Sequence, residues 1–181
     1  NKANATVTAN SSTVTYNGQT QTVSGFTASG LMNGETVSIL AGVSTSGGSG
    51  KNVGSYTLSA SGSDANYNLS FVDGGLTINK ATVSLSGISK TYDGTTGKGN
   101  TTLSISGVNG ETLSLGDATY SSKDVASNGS NYLAALTLAD NGSYLASNYQ
   151  VPATLNASNA AATINKANAT VTANSSTVTY N

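Results

Sequence analysis

The sequence predicts an all-β protein made of small tandem modules, and three observations support that prediction. Apolar and polar residues alternate with period two over most of the chain, which is typical of strands with one buried face. Asn-Gly and Asp-Gly pairs separate these runs, and such pairs favour tight turns at positive φ. Residues 1–17 recur without a change as residues 165–181, so we expect the chain to be a window of a longer tandem array.

A weaker repeat divides the chain further. Four short motifs occur in the same order in both halves. The pairs are Thr15-Tyr16-Asn17-Gly18 with Thr91-Tyr92-Asp93-Gly94, Asn33-Gly34-Glu35 with Asn109-Gly110-Glu111, Asn66-Tyr67 with Asn148-Tyr149, and Ile78-Asn79-Lys80-Ala81 with Ile164-Asn165-Lys166-Ala167. We therefore expect one module at 1–80, a second at 81–165, and the first strands of an incomplete third at 166–181.

Within each module the alternation predicts the strands in order. The alternating apolar sets are Val14 and Tyr16; Val37 and Ile39; Tyr56, Leu58 and Ala60; Tyr67, Leu69 and Phe71; Leu103 and Ile105; Leu113 and Leu115; Leu136 and Leu138. Short helical or 3₁₀ turns are the alternative at 28–32, 104–108 and 133–138, although the last fits a strand equally well. Residues 47–52 lack the first Gly and the Ser/Thr of a phosphate-binding loop, so they predict a hairpin loop.

The junction between the modules has a pattern of its own. Apolar residues are even-numbered up to Ile78 and odd-numbered from Ala81, so one extended segment presents opposite faces to two cores. No Pro/Gly/Ser linker intervenes, which predicts a stiff, linkerless rod; a bulge at Lys80 without mechanical meaning is the alternative. In the incomplete third module we expect 169–173 and 177–180 to form a hairpin that extends the second module or joins a neighbouring molecule.

The composition excludes several classes of partner. Charged residues make up 8% of the chain, the formal net charge is −1 and there is no Arg. No basic field exists for nucleic acid or an anionic membrane, so we expect neither a nucleic-acid partner nor membrane insertion. Because there is no Cys, disulfides cannot stabilise the fold. We interpret this as suiting a long chain that is exported unfolded.

Both halves resemble known repeats. Residues 3–80 resemble an MBG domain through Val14-Thr15-Tyr16-Asn17-Gly18, Ser29-Gly30-Leu31, Asn33-Gly34-Glu35-Thr36, Asn52-Val53-Gly54-Ser55-Tyr56, Asn66-Tyr67 and Gly75-Leu76-Thr77-Ile78. Residues 81–165 resemble a YDG domain through Lys90-Thr91-Tyr92-Asp93-Gly94-Thr95-Thr96, Gly110-Glu111, Lys123-Asp124-Val125, Asn148-Tyr149 and Ala162-Thr163-Ile164. The resemblance implies tandem arrays in large bacterial surface proteins, including filamentous-haemagglutinin-like adhesins, and hence an extracellular or cell-surface location. It also implies a β-grasp-like fold; an immunoglobulin-like sandwich fits the strand pattern as well.

Few residues qualify for chemistry. The absence of His excludes Ser/His/Asp and Cys/His systems and most zinc sites. Glu35 and Glu111 occur once per module at a turn, which favours a capping or turn-bonding role over the paired carboxylates of a glycosidase. No calcium-loop motif is present. We therefore predict no catalytic residue, no metal site and no cofactor.

The tyrosines are the remaining candidates for binding. Tyr16, Tyr56 and Tyr67 share strand parity with apolar neighbours, which predicts core positions. Tyr120, Tyr132 and Tyr144 lie in looser contexts and are the candidates for surface contacts with sugar rings. Frequent Asn-x-Ser/Thr sites leave glycosylation open.

Two functions from different classes fit the sequence. The first is a structural stalk module that contacts neighbouring repeats of the same chain and projects a distal adhesive region. The second is a weak, multivalent glycan- or exopolysaccharide-binding module in adhesion or biofilm. An enzyme is a third class, and the missing His and unpaired carboxylates disfavour it.

Overall fold

The computed structural model describes residues 1–180, and this part of the chain is mostly β with no α-helix. The all-β prediction is confirmed. Strands in the first segment are β1 (Ala3–Ala9), β2 (Ser11–Thr15), β3 (Gln21–Thr22), β4 (Phe26–Ser29), β5 (Val43–Gly47), β6 (Ser49–Gly50), β7 (Gly54–Gly62), β8 (Tyr67–Val72) and β9 (Gly74–Asn79). The following strands are β10 (Ala81–Thr82), β11 (Ser84–Thr91), β12 (Thr102–Ser106), β13 (Thr112–Tyr120), β14 (Leu133–Ala139), β15 (Tyr149–Gln150) and β16 (Ala162–Asn165).

The chain divides into two compact units that do not follow chain order. The first comprises Asn1–Ser84, Ile105–Gly116 and Leu138–Ala153, and the second comprises Leu85–Ser104, Asp117–Thr137 and the residues from Thr154 onward. The module boundaries at 1–80, 81–165 and 166–181 are a division by repeat, and they stay a prediction.

The first unit buries its core between two sheets of order β4-β1-β8 and β2-β9-β7-β5. Alternate residues of β1 point into this core, and Val7 is fully buried among Leu40, Leu58 and Tyr67. β1 pairs in parallel with β8, from Ala3 opposite Tyr67 onward, and β2 pairs in parallel with β9. An immunoglobulin-like sandwich is built from antiparallel sheets, so these parallel pairs disfavour that alternative.

The later strands repeat the parallel arrangement. Five of them form a sheet of order β14-β13-β12-β11-β16, in which β11 and β16 are parallel and Ile88 lies opposite Ala162. In the second unit the buried side chains include Ile88, Tyr120, Leu133 and Ile164. The β-grasp-like topology that the family resemblance implies stays a prediction.

The helical alternatives were misplaced. Residues 104–108 and 133–138 fall mostly in β12 and β14, and β4 ends at Ser29 inside the segment 28–32. Short 3₁₀ turns occur instead at Val37–Ile39, Val125–Ser127 and Ala146–Asn148.

The strand predicted at Val37 and Ile39 is wrong for a packing reason. Ile39 N–H donates to the Thr36 carbonyl and Leu40 N–H to the Val37 carbonyl. This tight turn leaves Val37 and Ile39 partly exposed and places Leu40 in the core at 1% exposure. Burying one large side chain overrides a three-residue alternation.

The parity switch at the junction is confirmed by burial. Leu76 and Ile78 are buried at the end of β9, and Ala81 and Val83 are buried directly after the exposed Lys80. A single residue, Lys80, therefore separates β9 from β10. Even-numbered residues are buried before it, and odd-numbered residues are buried after it.

The hairpin expected in the repeated segment is not found. Residues 166–180 contain no strand, and Val171, Val178 and Tyr180 are 93%, 87% and 98% exposed. Their identical copies at 2–16 include β1 and β2. The same sequence therefore folds only where the rest of a module supplies strands such as β8 and β9.

Candidate functional site: the Glu111 joint

A buried carboxylate is the most distinctive polar feature of the first unit. Glu111 is only 5% exposed and accepts hydrogen bonds from two tyrosine hydroxyls. Tyr16 donates to Oε1 and Oε2 at 2.9 and 3.0 Å, and Tyr149 donates to Oε2 at 2.7 Å. A buried charge is tolerated when such donors satisfy it, so this cluster has a defined geometry.

The two tyrosine rings pack against each other as well. Their centroids are 5.3 Å apart at an interplanar angle of 81°, an edge-to-face arrangement that aromatic pairs favour. Burial, assisted by the hydrogen bond to Glu111 and its negative charge, raises the pKa of the Tyr16 hydroxyl to about 12. Burial and the same carboxylate also raise the pKa of Tyr149. Both hydroxyls therefore remain protonated donors at neutral pH.

A second polar contact lies beside the first. Asn148 is 2% exposed, and its Oδ1 accepts a hydrogen bond from the Val53 backbone N–H at 2.9 Å. Its Nδ2 donates to Oδ1 of Asn52 at 3.0 Å. We call the set Tyr16, Asn52, Val53, Glu111, Asn148 and Tyr149 the Glu111 joint, because it links residues 1–79 to residues 105–116 and 138–153 within the first unit.

Turns and strand ends position these groups. Asn109 and Gly110 both have positive φ, 52° and 75°, as in the hairpin turn that the Asn-Gly pair predicted, and Glu111 follows directly. Gly18 has φ 79°, and a Cβ there would lie 3.0 Å from Cβ of Asn109, so the turn after Tyr16 requires glycine. The Tyr16 backbone N–H is fixed by the Asn79 carbonyl at 2.8 Å.

The role predicted for the glutamates needs correction. The sequence predicts a capping or turn-bonding function for the side chains of Glu35 and Glu111. The turn bonds come from the backbone instead, since Glu111 N–H donates to the Val108 carbonyl and Glu35 N–H to the Met32 carbonyl. Both carboxylates instead accept tyrosine hydroxyls, because Tyr67 donates to Glu35 as Tyr149 does to Glu111.

The second unit contains a buried cation that sequence reasoning missed. Lys90 is 1% exposed, and its Nζ donates to the carbonyls of Thr95 and Gly97 at 3.0 and 2.8 Å. It also pairs with Asp93 at 2.8 Å and lies 5.3 Å from the centroid of the Tyr120 ring. This ion pair lowers the pKa of Asp93 to about 2.

The sequence held a signal for this arrangement. Lys90 and Asp93 stand where the first module has Val14 and Asn17, so the cation and its partner change together between the two copies. The Tyr-Asp-Gly turn is therefore folded around a lysine ammonium. Its first-module counterpart has neither charge.

The surface tyrosines fall into three environments. Tyr120 is 2% exposed and hydrogen-bonds with Thr101 at 3.0 Å, so its prediction as a sugar-contacting residue is wrong. Tyr132 is half-buried, and Tyr144 is 37% exposed. The contact of Tyr132 and Tyr144 with glycans stays a prediction.

Within residues 1–180 no group of three His, Cys, Asp or Glu side chains could hold a metal ion. Across the same range no helix has the length and apolar character needed to cross a membrane.

Comparison with known families assigns the two halves. Residues 5–77 match the MBG domain (YGX type), and residues 76–157 match the YDG domain. The chain carries an MBG domain followed by a YDG domain. No curated protein and no solved structure matches the chain. In these terms the Glu111 joint connects Tyr16, Asn52 and Val53 of the MBG domain to Glu111, Asn148 and Tyr149 of the YDG domain.

Proposed function

We propose that the chain is a structural repeat unit in the stalk of a large secreted bacterial surface adhesin, where it projects a distal adhesive region and performs no catalysis. MBG and YDG domains in tandem are consistent with a repeat module of a surface protein. The Glu111 joint is the observation that carries the proposal. Its buried hydrogen bonds connect the two domains directly, and a domain pair that is built to hold a fixed connection suits a spacer.

The repeat supports the same function. Residues 165–181 restate the opening of the MBG domain after the YDG domain, so the domain order can continue through the same sequence. A module of about 80 residues has a small core, and contact with its neighbours supplies burial that it lacks alone.

A reach assay tests the proposal. One, two and four copies of the chain are placed between a bacterial surface anchor and a terminal peptide tag, on cells that carry long surface polysaccharide. We expect antibody access to the tag to rise with copy number. The matched control replaces the copies by Gly/Ser linkers of equal residue number, which coil and reach less far. Equal access for both series would contradict a stalk.

Glycan binding is the competing function. Of the three tyrosines predicted to contact sugars, Tyr144 has an exposed ring and Tyr132 is half-buried, whereas Tyr120 is buried. A glycan array probed with a multivalent display of the chain distinguishes the two functions. The stalk proposal expects no glycan above background, and binding that Tyr144→Ala abolishes would favour the alternative.

A further inference from the structure

The MBG domain carries half of a second joint at Glu35. Tyr67 donates its hydroxyl to Glu35 and accepts the Met32 backbone N–H at 2.9 Å. In the Glu111 joint Tyr149 donates to Glu111 and accepts the Val108 backbone N–H at 3.2 Å. The two turns match too, since Asn33 and Gly34 have φ 57° and 77°, like their counterparts before Glu111.

The polar groups of Glu35 and Asn66 differ from those of the Glu111 joint because they are exposed to solvent. Glu111 is buried beneath Tyr16, but Glu35 is exposed. Asn148 is buried by Asn52 and Val53, but its counterpart Asn66 is exposed. The groups that Tyr16, Asn52 and Val53 supply in the Glu111 joint are missing at Glu35.

The YDG domain carries the missing groups on its surface. Tyr92 corresponds to Tyr16 and is 39% exposed, against 3% for Tyr16. Its backbone N–H is fixed by the Asn165 carbonyl at 2.8 Å, as that of Tyr16 is fixed by Asn79. The Lys-Asp-Val run that ends at Val125 corresponds to the Lys-Asn-Val run that ends at Val53.

Each of these surfaces forms an open groove, and the repeated sequence lines both. A groove of about 560 Å³ is lined by residues 1–3 together with Glu35, Asn66 and Tyr67. A groove of about 730 Å³ is lined by residues 166–169 together with Tyr92, Asp124 and Val125. Residues 165–167 are the sequence copy of residues 1–3, so in a continued array a single segment would line both grooves.

We infer that Tyr92, Asp124 and Val125 of a YDG domain bind Glu35, Asn66 and Tyr67 of the MBG domain that follows it. Tyr92 donates its hydroxyl to Glu35. The Val125 N–H donates to Asn66 Oδ1, and Asn66 Nδ2 donates to the Asp124 carboxylate. The partner is a second copy of this chain that is joined through the repeated segment. The inference rests on the proposed function only because that function requires such a copy to follow in the array.

The charges permit this contact. Asp124 places a carboxylate where the Glu111 joint has the neutral Asn52, which would add repulsion with Glu35. Lys123 Nζ lies 3.0 Å from Asp124 Oδ1 and 5.7 Å from the centroid of the Tyr92 ring. The positive charge of Lys123 therefore offsets the negative charge of Asp124 next to Tyr92, whose hydroxyl would donate to Glu35.

Nitration of Tyr92 by tetranitromethane tests the inference. Two copies are fused so that residues 165–181 of the first also serve as residues 1–17 of the second, and the second Tyr92 is changed to Phe. In the single chain Tyr92 should react readily, with Tyr144 as the reference for reagent access. In the fused chain we expect the remaining Tyr92 to react about tenfold more slowly, because burial limits reagent access to rare openings.

A matched pair of variants identifies the partner. Glu35→Ala in the second copy should return Tyr92 to the rate of the single chain, whereas Glu35→Ala in the first copy should leave it protected. Unchanged reactivity in the fused chain would overturn the inference, as would protection that survives Glu35→Ala in the second copy. The reach assay is separate: it can fail while Tyr92 is protected, or succeed while Tyr92 stays reactive.

Discussion

At the scale of single residues, the hydroxyl of Tyr16 should stabilise the first unit. Tyr16→Phe keeps the ring contact with Tyr149 and removes two hydrogen bonds to the buried Glu111. Hydrogen bonds to charged groups contribute about 1.5–3 kcal/mol each, and the pair shares one donor, so we expect a loss of about 2 kcal/mol in the free energy of unfolding. Urea denaturation measures it. Tyr144→Phe, at an exposed ring, is the control and should be neutral.

Alkaline pH acts on the same hydroxyl. The pKa of Tyr16 rises from 10.0 to about 12 on folding, so the unfolded chain loses this proton first as the pH increases. The stabilisation is complete below pH 10 and is lost between pH 10 and about pH 12. Its size is of the order of 2–3 kcal/mol, since one pKa unit corresponds to roughly 1.4 kcal/mol. As the pH increases across this range, the urea midpoint should fall less steeply for Tyr16→Phe than for the original chain. Identical slopes would show that titration of the Tyr16 hydroxyl does not cause the loss of stability.

Part of the Glu111 joint could be predicted from the sequence pattern. Strand parity predicts core positions for Tyr16, Tyr56 and Tyr67; Tyr16 and Tyr67 are buried, whereas Tyr56 is half-buried. The sequence pattern also placed Glu35 and Glu111 in equivalent turns. It could not show that tyrosine and glutamate meet, because Tyr16 and Glu111 are separated by 95 positions and their contact depends on how distant strands pair.

At the scale of structural elements, the Tyr-Asp-Gly turn should depend on Lys90. Lys90→Met keeps the apolar stem and leaves the carbonyls of Thr95 and Gly97 without their donor. Breaking a buried, hydrogen-bonded charge site typically costs about 3 kcal/mol or more. Amide hydrogen exchange in the segment 92–99 should rise sharply.

The first module suggests a rescue for that variant. Lys90→Met combined with Asp93→Asn approximates the Val14 and Asn17 pair of the uncharged turn and should recover part of the loss. Lys166→Met, at an exposed position, is the matched control. No change in exchange for Lys90→Met would show that the ammonium is dispensable.

The identical segments make a second test at this scale. Amides of β1, such as Val7, should be protected, whereas Val171 in the unpaired copy should exchange close to the rate of an unfolded peptide. NMR is the suitable method because peptides from the two copies have the same mass. Equal protection in a dilute monomer would mean that the segment 166–180 folds without the remaining strands of a module.

Strand pairing marks the boundary of what patterning predicts. Period-two alternation located β7 and β12, each of which buries one face. It also located β8 and β13, but their burial departs from the alternation: Phe71 in β8 is 38% exposed, and β13 buries Leu113 and then Ala118 and Tyr120 at the opposite parity. The pattern does not predict the parallel partners β1–β8 and β2–β9, because alternation indicates which face of a strand is buried but not which strand lies beside it.

At the scale of the whole molecule, two features connect the MBG and YDG domains: a very short chain segment between their strands and the buried hydrogen bonds of the Glu111 joint. Only Lys80 separates β9 from β10, and Ala81 pairs with Tyr149, which is itself part of the Glu111 joint. Because this connecting segment is short, Tyr16 and Glu111 are held at a high effective concentration. The hydrogen bonds between them therefore form at little cost in chain entropy.

Inserting Gly-Gly-Ser between Asn79 and Lys80 should therefore weaken the joint without altering any residue in it. The three flexible residues let the β9 end move away from Ala81, so Tyr16 and Glu111 must be brought together at a greater loss of chain entropy. We expect the destabilisation caused by Tyr16→Phe to shrink from about 2 kcal/mol to below about 1 kcal/mol in the inserted chain, a coupling that a double-mutant cycle isolates. The control inserts the same residues between Gly129 and Ser130, an exposed turn far in sequence from the joint, and should preserve the full effect. If Tyr16→Phe costs as much in the inserted chain as in the original, the side chains alone hold the two domains together and the missing linker has no mechanical role.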